Sequence, residues 1–452
     1  MPVETLRPRV RSLMPRARED LAALVAMKSV ADPKQYPVHE CLKAARRVAD
    51  AFTEAGLEDV HLIDMPYGHP AVYGYTPGPP GSPTVLLYCH YDVQPPLDEA
   101  AWKTPPFQLR ERGGRWYGRG AADCKGNIAM HLTALRALGR TWPVGIKLIA
   151  EGSEEQSLNE LEEWVPRNPD LLRADTILVC DGGNFAVGVP TLTVTLRGIA
   201  NVVVEVGTLG SAMHSGMFGG PAPDALAALI AMLATLRDAT GNTTVRGLDN
   251  RRRWDGVEYP EAQFRQDANV LDGVALLGEG SVADMLWARP ALTVLGIDCP
   301  PVVGSSAAIQ PRARARINLR VPPGMSARTA QDALVAHLLA VAPWNARVDI
   351  QREASGEPWT GSTDGPAARA LGEAMREAYD HEQMREGQGG SIPLCNVLHD
   401  TFPEAEMMIM GVEEPRCLIH APNESVDPSE IERMALSEAL FLEKYGSNGG
   451  AA

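Results

Sequence analysis

A chain of 452 residues, 45% hydrophobic and 22% charged, has room for two or three domains and the composition of a soluble globular protein. Its formal charge of 42 minus 57, or −15, argues against nucleic-acid and anionic-membrane partners, and no apolar run reaches the length of a membrane span. The seven cysteines are scattered and form no CxxC pair, which fits a reducing, cytoplasmic setting and not a disulfide framework.

The first 27 residues lack the uninterrupted apolar segment of a signal peptide and read as an amphipathic helix, with Leu13, Leu21, Leu24 and Val25 on one side. The loop Tyr75–Pro83, rich in proline and glycine, precedes the apolar run Thr84–Cys89, which is followed by His90 and Asp92. Gly113 and Gly114 mark a hairpin turn between Phe107–Leu109 and Trp116–Tyr117. Asp123 lies in the glycine-flanked turn GRGAADCKG, ahead of a helix carrying Ile128, Leu132, Leu135 and Leu138.

The run Ile146–Ala150 leads into Glu151, Glu154 and Glu155. Ser157 to Glu160 has the pattern of a capping box, and Thr176–Cys180 leads into Asp181. Near-continuous apolar strands alternating with helices predict a mostly parallel sheet covered on both faces, where ligands bind at the carboxyl ends of strands.

From Leu196 the pattern changes. Asn201–Val206, Ala313–Val321 and Arg347–Ile350 read as strands with one wet face, and Asp224–Leu233 and Ser326–Ala342 as helices. This predicts an α+β open sandwich inserted in the first domain, giving segments 1–195, 196–354 and 355–452. Helix resumes over Ala367–Tyr379 and strand over Ala405–Met410. Asp427, Pro428 and Glu430 form an N-cap, a first-turn proline and a capping-box glutamate, and a frayed tail is expected from Gly446.

Among the strand-end and loop groups are His90, Asp92, Asp123, Glu154, Glu155, Asp181 and His420. A lone histidine after a strand is ordinarily a satisfied polar residue, and an aspartate after Cys180 is often only a helix cap; the weight lies in their joint placement. Two imidazoles and several carboxylates suit two divalent cations held about 3.5 Å apart by a shared carboxylate, with a further carboxylate moving protons. Zn2+, Mn2+ and Co2+ all suit these nitrogen and oxygen donors, so the residue types do not choose among them. On an extended segment His90 and Asp92 share a face, so Asp92 can orient the imidazole.

The stretches YCHYDVQPP, GRGAADCKG, EGSEEQS, CDGGN, HSGMFGG, GGSIP and HAPNES, in this order, resemble the di-zinc peptidases that include carnosinase, cytosolic nonspecific dipeptidase, aminoacylase, glutamate carboxypeptidase and succinyl-diaminopimelate desuccinylase. HYDVQPP and HSGMFGG are most similar to the carnosinase-type branch. The resemblance covers nearly the whole chain. It implies a catalytic domain with an inserted lid and dimerisation domain, and two metals per subunit. His90, Asp181 and one oxygen of Asp123 would bind one metal; His420, Glu155 and the other oxygen of Asp123 would bind the second.

It further implies Glu154 as general base and acid, Asp92 as the residue orienting His90, and His214 as an oxyanion donor reaching a partner's site in a homodimer. Arg320 and the loop Gly389, Gly390, Ser391 would hold the substrate carboxylate. Arg320 lies among Arg312, Arg314 and Arg316, so a solvated basic strand is the competing reading. Cys124 stands where dipeptidase relatives often carry a second aspartate. The expected activity is hydrolysis of dipeptides or short peptides with a free carboxyl terminus, by a water activated between the metals. Deacylation of N-acyl amino acids, desuccinylation, and metal or peptide binding without catalysis are the alternatives.

Overall fold

The computed structural model describes residues 1–448 except 157 and 362. In chain order the elements that matter here are α1 (Val3–Val25), α2 (His39–Ala55), β1 (Asp59–Ile63), β2 (Ala71–Thr76), β3 (Thr84–His90), α3 (Lys125–Leu138), β4 (Gly145–Glu151), β5 (Thr176–Cys180) and β6 (Thr191–Leu196). They continue with β7 (Gly198–Gly207), α4 (Ala225–Ala234), β8 (Ala291–Asp298), β9 (Arg312–Val321), α5 (Ala327–Ala340) and β10 (Arg347–Gly356). The last three are α6 (Pro366–Tyr379), β11 (Glu406–Met410) and α7 (Pro428–Asn448). The chain divides into two compact units, one of residues 1–194, 361–386 and 394–452, the other of residues 195–360 and 387–393.

The first unit is built on a sheet ordered β1-β2-β4-β3-β5-β11-β6. Its central strands β4, β3, β5 and β11 run parallel, and β1, β2 and β6 join the edges antiparallel. The fold class expected from the strand texture is therefore met, with a parallel centre inside a mixed sheet. Every residue of β4 and β5 is buried, which is why these strands are apolar without alternation. Among their polar residues, Lys147 threads its ammonium out to the carbonyls of Asp170 and Arg173 at 3.2 and 2.9 Å. Leu6, Val10, Leu21 and Leu24 of α1 join α3 and α7 in one core with the sheet.

Three local expectations shift. The hairpin strand is Arg110–Arg112, not 107–109, because the two-residue turn at Gly113 and Gly114 (φ 57° and 79°) pairs the residues immediately flanking it, Arg112 with Arg115. Ser157 of the expected capping box lies outside the described residues; Glu160 opens the short helix Glu160–Trp164 and accepts from Tyr67 N. Asp427 does cap α7, accepting from Ser429 N at 2.9 Å, but Glu430 turns inward to Asn184, Tyr379 and Gly188 N instead of closing a box. Helix α7 also continues past Gly446 to Asn448, and the rest of the expected tail, 449–452, lies outside the described residues.

The second unit is a four-stranded antiparallel sheet, β8-β9-β7-β10, with α4 and α5 against one face. Alternate residues Ala200, Val202, Val204 and Val206 of β7, with Ala313, Ala315, Ile317 and Leu319 of β9, form its core. The opposite face is wet and charged, as the alternation predicts. Arg312 pairs with Glu205 (3.0 Å), Arg316 with Glu353 (2.8 Å), and Arg314 with Asp298.

Candidate metal centre

Parallel strands β3, β4 and β5 end side by side, and their carboxyl ends carry the candidate groups. His90 is the last residue of β3 and pairs in register with Glu151 of β4; Asp181 follows β5. Past His90 the chain stays tied to β4, since Tyr91 N donates to Glu151 O at 2.8 Å. Asp92 thereby faces the turn Glu154–Gln156, and its two carboxylate oxygens accept from Glu154 N (3.2 Å) and Glu155 N (3.0 Å).

Asp123 is held by its own turn. Glu424, fully buried, accepts from Gly120 N, Ala122 N and Asp123 N at 2.9–3.1 Å and from Arg119 Nη1 at 2.8 Å. The left-handed φ of 78° at Gly120 lets the turn close, and a Cβ there would meet Val93 at 2.5 Å. The Asp123–Cys124 peptide is cis. His420 comes from the loop before β-bridge residues Ser425–Val426, itself in a left-handed conformation (φ 60°).

Seven of the residues singled out from the sequence converge in this unit. His90 Nε2 lies 3.0 Å from Asp123 Oδ1 and 3.2 Å from Asp181 Oδ1. His420 Nε2 lies 3.0 Å from Asp123 Oδ2 and 3.1 Å from Glu155 Oε2. Asp123 therefore offers one oxygen to each imidazole. His90 Nδ1 faces the Asp92 carbonyl at 3.1 Å and its Oδ1 at 3.3 Å, which leaves Nε2 with the lone pair.

The two adjacent glutamates differ. Glu155 is gripped by Gln94, whose Nε2 and N reach its carboxylate at 2.9 and 3.2 Å. The Glu154 carboxylate has no hydrogen bond or ion pair among the described residues.

These residues fit a pair of metal ions. Two donors about 2.1 Å from one ion and about 100° apart lie about 3.2 Å from each other, the spacing seen in both nitrogen–oxygen groups. The charge balance asks for cations as well. Asp123, Glu154, Glu155, Asp181 and Glu413 crowd together, with only His90 and His420 available to offset them in the candidate groups. Burial, then Asp181, pushes Glu154 well above the usual carboxylate range; burial, then Asp123, raises Glu155 to about 7 and also lifts Glu413 well above that range. Bonds from Asp123 and Glu155 raise His420 to about 11. Burial alone would raise Asp123, but the bonds from His420 and His90 outweigh it and hold this carboxyl low.

A pH test follows from the signs. Raised carboxyls hold protons in the folded state, so without metal the protein loses stability as pH climbs from about 4.5 through their folded values. The His420 contribution is complete below about 6.5 and is also lost as pH rises toward its folded value. Metal binding needs deprotonated donors and strengthens with pH. The melting-temperature gap between metal-loaded and chelator-stripped protein is therefore expected to widen from about pH 5 to about pH 8. A gap independent of pH would count against metal at these groups.

Cys124 Sγ lies within 4.8 Å of donor atoms of His90 and Asp181, but in this structure it acts as a hydrogen-bond donor. Its thiol donates to Cys180 O at 3.0 Å, and burial raises its pKa to about 12, so it remains S–H.

The other singled-out residues belong to the second unit. His214, exposed on the short strand Met213–His214, accepts from Gly216 N (3.1 Å) and Met217 N (3.2 Å) through Nδ1. Its neutral ring thus carries the proton on Nε2 and presents a donor. Arg320, half-buried, has no carboxylate partner among the described residues, unlike the arginines at 312, 314 and 316. That weakens the reading as one more solvated basic residue. Gly389, Gly390 and Ser391 lie in the segment 387–393 of the same unit.

Four functional positions were not singled out from the sequence. Gln94 fixes Glu155, Arg119 and Glu424 fix the Asp123 turn, and Glu413 stands beside Asp123 and Asp181. Glu413 follows the parallel strand β11, so the strand-end rule that found Asp181 would have found it too. Nothing local marks Glu424 as the partner of Arg119, 305 residues away.

Comparison with known proteins places the chain among peptidases. The model of peptidase family M20/M25/M40 matches residues 86–444. A cysteinylglycine-S-conjugate dipeptidase of Corynebacterium striatum is 44% identical over 421 residues, spanning 92% of each chain. A β-Ala-His dipeptidase of Rattus norvegicus is 27% identical, over 95% of this chain and 89% of its own. The crystal structure of human carnosine dipeptidase 1 superposes with a TM-score of 0.83 at 25% identity, covering 98% of both chains.

Proposed function

The chain belongs to peptidase family M20/M25/M40, and from that premise we propose that it is a two-metal dipeptidase acting on dipeptides or short peptides with a free C-terminal carboxylate. The observation that carries this reading is the carboxylate of Asp123, shared between His90 and His420, with the unpaired carboxylate of Glu154 beside it. His90, Asp123 and Asp181 would hold one ion, and His420, Asp123 and Glu155 the other. Zn2+ is the proposed ion, with Mn2+ and Co2+ compatible with the same donors. Bound there, the ions supply Lewis acidity toward a peptide carbonyl and acidify a water.

The side chains do the rest. Glu154, free of side-chain partners among the described residues and raised in pKa, takes the proton of the attacking water and delivers it to the leaving amine. Asp92 keeps His90 in one tautomer and, through the Glu154 and Glu155 amides, sets the glutamate turn. His214, contributed by a second copy in a homodimer, donates Nε2–H to the substrate oxyanion. Arg320 and the loop Gly389–Ser391 hold the substrate carboxylate, and the second unit serves as lid and dimer-forming domain.

A cytoplasmic setting is supported by seven cysteines, none paired among the described residues. No helix among the described residues is long and apolar enough to cross a membrane.

The deciding experiment strips the metal, restores Zn2+ or Mn2+ separately, and assays cysteinylglycine, its S-conjugates and β-alanyl-histidine against N-acyl amino acids. Turnover of dipeptides that returns with metal is expected. Turnover of the acyl amino acids alone would replace the dipeptidase reading with a deacylase.

A further inference from the structure

We propose that Arg197 is a second carboxylate-binding residue of the Arg320 site, clamped by the Gly389 loop and sharing with Arg320 the anionic end of the substrate. The proposal rests on the reading that Arg320 receives that carboxylate, and adds a residue that the motifs do not mark.

Arg197 stands one residue before β7. The pairing of Arg320 with Ile199 and of Val321 with Gly198 brings the two arginines to the same end of neighbouring strands. The Arg197 side chain is only 8% exposed. Its Nε donates to Gly389 O at 3.3 Å, but its buried Nη1 has no hydrogen-bond partner among the described residues. A buried guanidinium N–H without an acceptor is costly, and an incoming acceptor such as a ligand oxygen lowers that cost.

Charge points the same way. Burial first, then repulsion from Arg320, lowers Arg197 to about 10, and burial lowers Arg320. Neither has a carboxylate partner among the described residues, although Arg312, Arg314 and Arg316 of the same strand β9 each have one. Two cations drawn from water at the same end of neighbouring strands favour an anion between them.

The loop is built onto this arginine. Arg197 N donates to Gln388 O at 3.2 Å, and a Cβ at Gly389 would lie 2.8 Å from Arg197 Nη2. A larger residue there would push the guanidinium aside. The two arginines offer two planar forks with no carboxylate partner among the described residues, which matches the two oxygens of an α-carboxylate.

The test compares metal-loaded wild type, Arg197→Met, Arg197→Lys, Gly389→Ala and Arg320→Met on cysteinylglycine and on cysteinylglycinamide, which lacks the carboxylate. For Arg197→Met the ratio of kcat/KM on the acid to that on the amide is expected to fall by about 10- to 100-fold, through KM and not kcat. Arg197→Lys, which keeps the charge but not the fork, should recover part of it, and Gly389→Ala, which displaces the guanidinium, should reproduce the loss. An equal loss on both substrates in the Arg197 variants would overturn the proposal and reduce Arg197 to a structural residue. Should Arg197→Met not fold, the Lys and Gly389→Ala variants decide the point. If wild type itself takes acid and amide alike, the carboxylate reading of Arg320 fails first, and that outcome is read before any variant.

Discussion

Glu154→Gln is expected to leave the bound metal intact and to lower kcat by about 10²- to 10⁴-fold. Glutamine keeps the volume of the side chain and removes only its ability to carry a proton. Because the Glu154 carboxylate bonds to no protein group among the described residues, the substitution breaks no contact, and the melting temperature should hold. Glu155→Gln is the control with the opposite signature. It weakens an oxygen donor that Gln94 and His420 hold in position, so metal should be lost along with activity. Metal content by elemental analysis, beside kcat, separates the two. If Glu154→Gln were the variant that released metal, the two glutamates would have exchanged roles.

The largest expected loss of stability comes from Glu424→Ala. This carboxylate lies fully buried, receives the turn amides of Gly120, Ala122 and Asp123 and pairs with Arg119, itself 1% exposed. Truncation strands a buried guanidinium and three N–H groups, and breaking a buried ion pair by removing one partner costs about 3–5 kcal/mol. The damage should also reach the metal centre, because the same turn aims both oxygens of Asp123 at the two histidines. A lower denaturation midpoint together with weaker metal retention is expected, with Glu424→Gln in between, since it keeps an acceptor but not the charge. A midpoint unchanged in Glu424→Ala would mean that the turn holds itself.

The two halves of the site were unequally legible. Strand ends are local signals: an apolar run that stops at His90, Glu151 or Cys180 announces both the strand and the polar group beyond it. The division between Glu154 and Glu155 was assigned through the family motifs, and the structure adds a physical difference, one carboxylate gripped by Gln94 and the other free. Gln94, Glu424 and Glu413 were not singled out because their roles lie in what they touch. The hairpin register slipped by three residues because the glycine turn, not the apolar character of Phe107–Leu109, selects the paired residues.

By itself, the sequence determined the parallel-centred sheet, the change of texture near Leu196 and the set of groups at the strand ends, because burial on two faces and alternation on one leave distinct hydrophobic periods in the chain. Only the tertiary structure decided which oxygen of Asp123 faces which histidine, which carboxylate stays unpaired and which arginines lack an acid. Those depend on distances of about 3 Å between residues far apart in the chain, and hydrogen bonds and ion pairs at that range leave no period behind.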